Sequence, residues 1–233
     1  MPVIAFANSK GGSGKTTSAL LLACELAESR PVTIIDADPR RPITTWAEPK
    51  DGKSAPPANL TVVTSAGEKT ILDEIEEAAT RDPFVIIDLE GVASRLTSYA
   101  IGQSDFVIVP MKEQQQDALA ALDIIQEIHR EMKAVRRQIP YAVLFTQTKY
   151  VKSRTSRHIA GQFRDNPSID TFLSEIDERD AYSAIFTTGG SVRALSPKTV
   201  NNLDKAIANV QGFASEVIGK LKALHDAQAQ EVA

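Results

Sequence analysis

Apolar positions fall into two patterns along this chain. Short, nearly unbroken apolar runs rich in β-branched residues recur at 3–7, 32–35, 60–64, 84–87, 106–109 and 141–146. Runs of that length and content predict buried strands. Between most of them lie longer segments, 15–28, 70–80, 94–103 and 117–135, that predict helices; in the last of these Leu119, Leu122, Ile125, Ile128 and Met132 recur at helical spacing. Apolar strands alternating with helices predict an α/β fold, a doubly wound and mainly parallel sheet with helices on both faces.

The final segment places Leu203, Ile207, Val210, Val217, Leu221 and Leu224 on one helical face, weakened by Gly212 and Gly219. Its polar side mixes Asp204, Glu216 and Asp226 with Lys205, Lys220 and Lys222, whereas a membrane-surface helix carries a strongly basic face. Docking on the protein core is therefore expected, with no stable membrane association. Residues 49–57, with prolines at both ends around Gly52 and Ser54, predict a surface loop, too short and early to divide domains. One domain over 1–233 is expected, with 227–233 a frayed tail.

Composition narrows the class. Hydrophobic content of 42% and charged content of 24% suit a single globular core. No apolar run approaches the roughly 18 residues of a membrane span, and the first residues lack a basic leader and cleavage site, so a cytoplasmic location is expected. The single cysteine, Cys24, lies among Leu20, Leu21, Leu22 and Leu26, which predicts a core residue and excludes an internal disulfide. Net charge is −4, but residues 132–164 contain no acid and carry Lys133, Arg136, Arg137, Lys149, Lys152, Arg154, Arg157 and Arg164.

The first strand runs into Lys10-Gly11-Gly12-Ser13-Gly14-Lys15-Thr16-Thr17 and then into a helix, the context of a phosphate-binding P-loop. Glycines let such a loop curl so that backbone N–H groups and the helix N-terminus point at phosphate oxygens. Lys15 would neutralise the β and γ phosphates of ATP, Thr16 would offer its hydroxyl to Mg²⁺, and Thr17 would reach toward the α-phosphate. The usual G-x-x-x-x-G-K-[ST] pattern would place glycine at Ser9, and a second lysine, Lys10, opens the loop instead.

The run K-G-G-x-G-K-[ST]-T resembles the deviant Walker motif of the ParA family of partition ATPases, whose relatives include Min-system ATPases, the nitrogenase iron protein and arsenite-pump ATPases. The resemblance covers nearly the whole chain. It implies that Lys10 reaches the nucleotide of a second subunit, so that ATP is sandwiched in a homodimer. Asp36-Ala37-Asp38-Pro39, at the end of the second strand, is similar to the family's second signature. On that likeness Asp38 orients the attacking water and Asp36 supports the metal shell. Asp88, ending the strand at 84–87, is the Walker B carboxylate by the same likeness and would hold Mg²⁺. Relatives often follow it with two prolines; here Leu89-Glu90-Gly91-Val92-Ala93 follows. Gln147-Thr148 falls where relatives contact adenine, and 177–190, with Arg179 and Gly189-Gly190, resembles a late arginine-bearing motif of unassigned role.

The resemblance implies an ATPase that is slow alone and stimulated by a partner, since nothing in the sequence resembles an arginine finger placed in cis. Expected partners are non-specific DNA and a ParB-like or cargo-adaptor protein. Lys149, Lys152, Arg154, Arg157 and Arg164 are the candidate phosphate-backbone contacts, against the alternative of a merely solvated helix face. The sheet begins at Val3 with no helix-turn-helix before it, so operator binding is not expected. An accessory role in conjugative or T-DNA transfer, or a Min-like surface switch, are the alternatives. An iron-protein reductase would need two cysteines per subunit for a bridging cluster, and an amidating synthase a second domain.

Overall fold

A computed structural model of the chain describes residues 1–92 and 94–232, and the side chains of all of these except 228, 231 and 232. In chain order the elements are β1 (Val3–Phe6), α1 (Lys15–Ala27), β2 (Val32–Ala37), α2 (Pro42–Ala47), β3 (Leu60–Thr64), α3 (Ile71–Arg81), β4 (Phe84–Leu89) and α4 (Arg95–Gln103). There follow β5 (Phe106–Met111), α5 (Gln115–Val135), β6 (Tyr141–Thr148), α6 (Arg154–Arg164), β7 (Ile176–Asp177), α7 (Asp180–Thr188) and α8 (Leu203–Val232). The seven strands form one sheet in the order β3-β2-β4-β1-β5-β6-β7, and every pairing is parallel.

Alternate residues of each strand feed two cores. Ile4, Phe6, Ile34, Ile86 and Ile108 point to one face, covered by α1, α2, α7 and α8. Ala5, Ile35, Val85, Ile87, Val107 and Val143 point to the other, under α3, α4, α5 and α6. Strands buried on both faces explain why the sequence shows apolar runs instead of alternation. Because β1 lies between β4 and β5, successive crossovers run first to one side of it and then to the other. The carboxyl ends of β1, β2 and β4 therefore open a crevice where the winding changes direction.

Local structure adds detail to these expectations. On α5 the buried residues are Ala118, Ala121, Ile124, Ile125 and Ile128, while Leu119 and Leu122 are exposed, because small alanines let the helix lie close to the sheet. The segment from Ala227, expected to fray, continues α8 as far as Val232; Ala233 lies outside the described residues. α2 has no periodic signature of its own, being six residues long and started by Pro42 after Arg41 at φ 52°. Loop 49–57 is docked: Ser54 bridges to Gly189, where a Cβ would lie 2.3 Å from the Ser54 carbonyl oxygen. Gly190 is crowded there too, a Cβ standing 2.7 Å from Ser54 Cβ, so both glycines serve this contact. The α8 residues packed on the core are those expected, from Leu203 to Leu224, and Cys24 is buried as expected.

Candidate nucleotide site

The loop between β1 and α1 is shaped by Gly12 at φ 77° and Gly14 at φ 93°, a region that other L-residues rarely adopt. Gly14 is the N-cap of α1 and packs so closely on β6 that a Cβ would stand 3.0 Å from Thr146. Thr146 Oγ1 donates to the Ser13 carbonyl at 2.6 Å, and Gln147 Nε2 donates to the Gly12 carbonyl at 3.3 Å. With these carbonyls tied to β6, the loop turns its remaining surface and the α1 N-terminus toward the crevice.

Lys15 is buried, and its ammonium donates to the Lys10 carbonyl at 3.2 Å with no ion pair among the described residues. Burial lowers its pKa, opposed by the charges of Asp88 and Asp38. Asp88 is fully buried and neither carboxylate oxygen has a hydrogen-bond partner. Burial pushes Asp88 up to about 7, with the nearby Thr16 hydroxyl moderating the shift. Asp36 lies in register beside it on the adjacent strand. Its Oδ2 accepts from the backbone N and the hydroxyl of Thr44 at 2.7 and 2.8 Å, and its Oδ1 has no partner. Asp36 thus also holds the start of α2, a task the sequence did not signal.

Buried polar atoms are ordinarily satisfied. Among the described residues the unsatisfied buried atoms include both Asp88 oxygens and Asp36 Oδ1 at the strand ends, and the Ser13 and Ser18 hydroxyls on the P-loop and α1; Asp88 is also close enough to the buried Lys15 ammonium to act on its charge. That donor set fits a nucleotide polyphosphate and a hard divalent cation, which together would supply opposite charge to Lys15 and to the carboxylates. Bound Mg²⁺ would offset charge developing on the transferred phosphoryl group.

Asp38 is buried at the crevice edge and held by Arg40, a residue outside the recognised motif. Arg40 donates from its backbone N at 2.8 Å and from Nε at 3.3 Å to Oδ1, and from its terminal nitrogen at 3.2 Å to Oδ2. Burial would raise the carboxyl, but the Arg40 hydrogen bonds and charge, with Lys15, hold it below the usual carboxylate range. Lys10 does not point away from its own subunit: its ammonium pairs with Asp117, wholly buried in the first turn of α5. Gly91, in the stretch that replaces the proline pair, lies flat on the P-loop, where a Cβ would sit 3.3 Å from Gly11 N and Lys15 Nζ.

A pocket continues from Gly14, Thr17 and Ser18 along Gln147, Asp177, Arg179, Tyr182 and Phe186. It brings Gln147 and the 177–190 segment to one cavity of about 420 Å³. Arg179 pairs with Asp177, and the Tyr182 hydroxyl donates to the Ala206 carbonyl and lies 2.7 Å from Asn209 Oδ1.

The five candidate DNA contacts divide. Arg154 and Arg157 are exposed at the start of α6 and make no ion pair among the described residues; Lys149 is exposed, 3.9 Å from Glu178. Lys152, half-buried, and Arg164, exposed, are held in ion pairs within the chain. Lys152 Nζ donates to Glu113 at 2.7 Å and to both Glu175 oxygens at 2.6 and 2.7 Å, and Arg164 donates to Glu175 at 2.5 Å over the ring of Phe145. Their acidic partners lie outside the basic window, so a count of like charges within it could not find them.

Comparison with known proteins agrees with this arrangement. The family model described as VirC1 protein matches residues 1–220. A protein named ParA from Rhizobium radiobacter is 37% identical over 223 residues, covering 95% of this chain and 98% of its own. The virC1 protein of the same organism is 30% identical over 192 residues, 81% of this chain and 82% of its own. Among solved structures, Cyanothece McdA in complex with ATP superposes with a TM-score of 0.78 at 18% identity, over 94% of this chain and 96% of that one. A plasmid partition protein of Borrelia burgdorferi, bound to AMPPNP, gives 0.67 at 20% identity over 94% and 98%. These two support the fold, a P-loop sheet of the ParA and MinD kind. No helix among the described residues is long and apolar enough to cross a membrane. With the family model spanning nearly the whole sequence and a ParA relative above one-third identity, the chain belongs to the VirC1 family of ParA-type partition ATPases.

Proposed function

We propose that this protein is an Mg-ATP-dependent dimerising switch that binds DNA without sequence preference in its ATP state and releases it after slow, partner-stimulated hydrolysis. The observation that carries the reading is the group of unsatisfied buried carboxylate oxygens of Asp88 and Asp36 beside the buried Lys15 ammonium. Lys15 binds the β and γ phosphates, and Thr16 and Asp88 hold Mg²⁺ with Asp36 behind them. Asp38 orients water, and Gln147 borders the pocket in which the base lies. Lys10 leaves Asp117 for the partner subunit's nucleotide, so the dimer forms only with triphosphate.

The DNA surface we assign is Arg154, Arg157 and Lys149, at the same carboxyl edge of the sheet as the nucleotide site. A dimer doubles these charges, which suits sequence-independent, salt-sensitive contact with phosphates. A cargo adaptor of the ParB kind would stimulate turnover, and the protein would act in the cytoplasm on nucleoid DNA. Positioning of a protein assembly is the second reading, supported by a Gloeobacter kilaueensis relative named maintenance of carboxysome distribution protein A, 31% identical over 128 residues, 55% of this chain.

The test is binding to a random-sequence duplex with ATP, with ADP and without nucleotide, across salt concentrations, for the wild type and Arg154→Glu/Arg157→Glu. Binding that needs ATP, weakens with salt and is lost in the double variant supports DNA as the surface acted on. Normal ATP dimerisation with no DNA binding in any state refutes it and favours a protein assembly.

A further inference from the structure

Arg40 has no role in the scheme just given, yet its guanidinium occupies the place where that scheme needs Asp38 to be free. Both Asp38 oxygens accept from the one arginine, three hydrogen bonds in all. A carboxylate has about four acceptor positions, and three are taken here, two of them by the guanidinium. The arginine is the solvent-exposed partner, with 79% of its side-chain surface accessible against 8% for that of Asp38. Arg40 is also near enough to Lys15 for the two cations to repel, and near enough to Asp88 to feel its charge. Arg40 is thus a second cation of the same chain within electrostatic reach of Lys15.

We propose that Arg40 is a γ-phosphate sensor acting in cis: it holds Asp38 while no triphosphate is present and transfers to the γ-phosphate when ATP binds, freeing Asp38 for water. The inference rests on the nucleotide reading above. Its physical basis is competition. A planar guanidinium recognises carboxylate and phosphate through the same fork of donors. The γ-phosphate of ATP brings a doubly charged competitor to a spot where Lys15 already disfavours a second unneutralised cation. ADP brings no such group, so Arg40 stays on Asp38 and the water-orienting carboxylate remains engaged.

The experiment is calorimetric titration of the wild type, Arg40→Ala and Arg40→Lys with Mg-ADP and with a non-hydrolysable Mg-ATP analogue, alongside single-turnover hydrolysis of Mg-ATP. For Arg40→Ala the analogue should bind roughly ten- to hundredfold more weakly, the range of a charge-assisted hydrogen bond, while ADP affinity stays within about twofold. Arg40→Lys should restore part of the analogue affinity without restoring the hydrolysis rate, because an ammonium lacks the fork. Equal changes in ADP and analogue affinity, or none in either, overturn the proposal and leave Arg40 as a surface partner of Asp38. Unchanged ADP binding shows that the variant is folded. If the wild type itself binds neither nucleotide, the nucleotide reading fails; if it binds both and Arg40→Ala keeps their ratio, only the sensor fails.

Discussion

Replacing Lys152 distinguishes a DNA contact from an internal strut. Its ammonium donates to three carboxylate oxygens at 2.6–2.7 Å, and the side chains of Lys152, Glu113 and Glu175 are 24%, 6% and 17% exposed. In Lys152→Ala, Glu175 keeps Arg164 but Glu113 is left buried without a cation. Breaking a fully buried pair costs about 3–5 kcal/mol. The quarter of Lys152 that reaches water lowers the expectation to about 2–3 kcal/mol, or a fall in Tm of roughly 4–12 °C for a chain this long. Urea unfolding of the nucleotide-free protein measures it, and Lys152→Met/Glu113→Gln should regain part of the loss by removing both charges. The pH dependence has a definite sign. Burial would raise Glu175, but Lys152 and Arg164 hold it below its ordinary 4.5. Its contribution is therefore present above 4.5 and disappears as pH falls through the lower native value. Lys152→Ala should lose less stability than wild type on that descent. A loss under about 1 kcal/mol in urea, together with weakened DNA binding, would refute the internal role.

Other expectations are briefer. Gly14→Ala should cost about 1–2 kcal/mol for its left-handed backbone alone, and more for displacing Thr146; calorimetry should find nucleotide binding lost while circular dichroism still shows a folded chain. Lys15→Ala should abolish nucleotide binding in the same titration. Asp38→Ala should bind Mg-ATP and remain dimeric, and a normal turnover rate would contradict its role with water. Lys10→Ala should bind ATP as a monomer by sedimentation, and its nucleotide-free form should lose about 1–3 kcal/mol in urea because Asp117 is left buried and unpaired.

The layered sheet was legible because each strand is buried on both sides and so leaves an apolar run, and because the P-loop needs glycine at stated positions. Lys15, Asp36, Asp38 and Asp88 were legible for a related reason: they end strands or begin a helix, where side chains meet at one edge. The partners of charged residues were not. Lys10 finds Asp117 across 107 positions, and Lys152 finds Glu113 across 39. A list of charges says which could attract DNA, but only packing decides which are already spent on a carboxylate. Helix α5 was legible with Ile125, Ile128 and Met132 on its packed side, but Leu119 and Leu122 match the same spacing and lie exposed, because Ala118 and Ala121 take the places against the sheet. Arg40 lies two residues beyond Asp38 and needed only a turn to reach back, yet nothing in Asp-Pro-Arg-Arg distinguishes that turn from one pointing to water.

The bracing of the P-loop by β6 bears on how the protein is made. Ser13 and Thr146 are separated by 133 residues, and a ribosome adding ~5–20 residues per second needs roughly 7 to 27 s to span that gap. For most of that interval β1 also lacks β5, one of its two neighbours in the finished sheet. A nascent chain can therefore offer no braced phosphate cradle during the first half of its translation, and ATP cannot stabilise it then. A pause in translation before Phe84, when β1 and β2 still lack the β4 that lies between them, would leave these apolar strands exposed to aggregation.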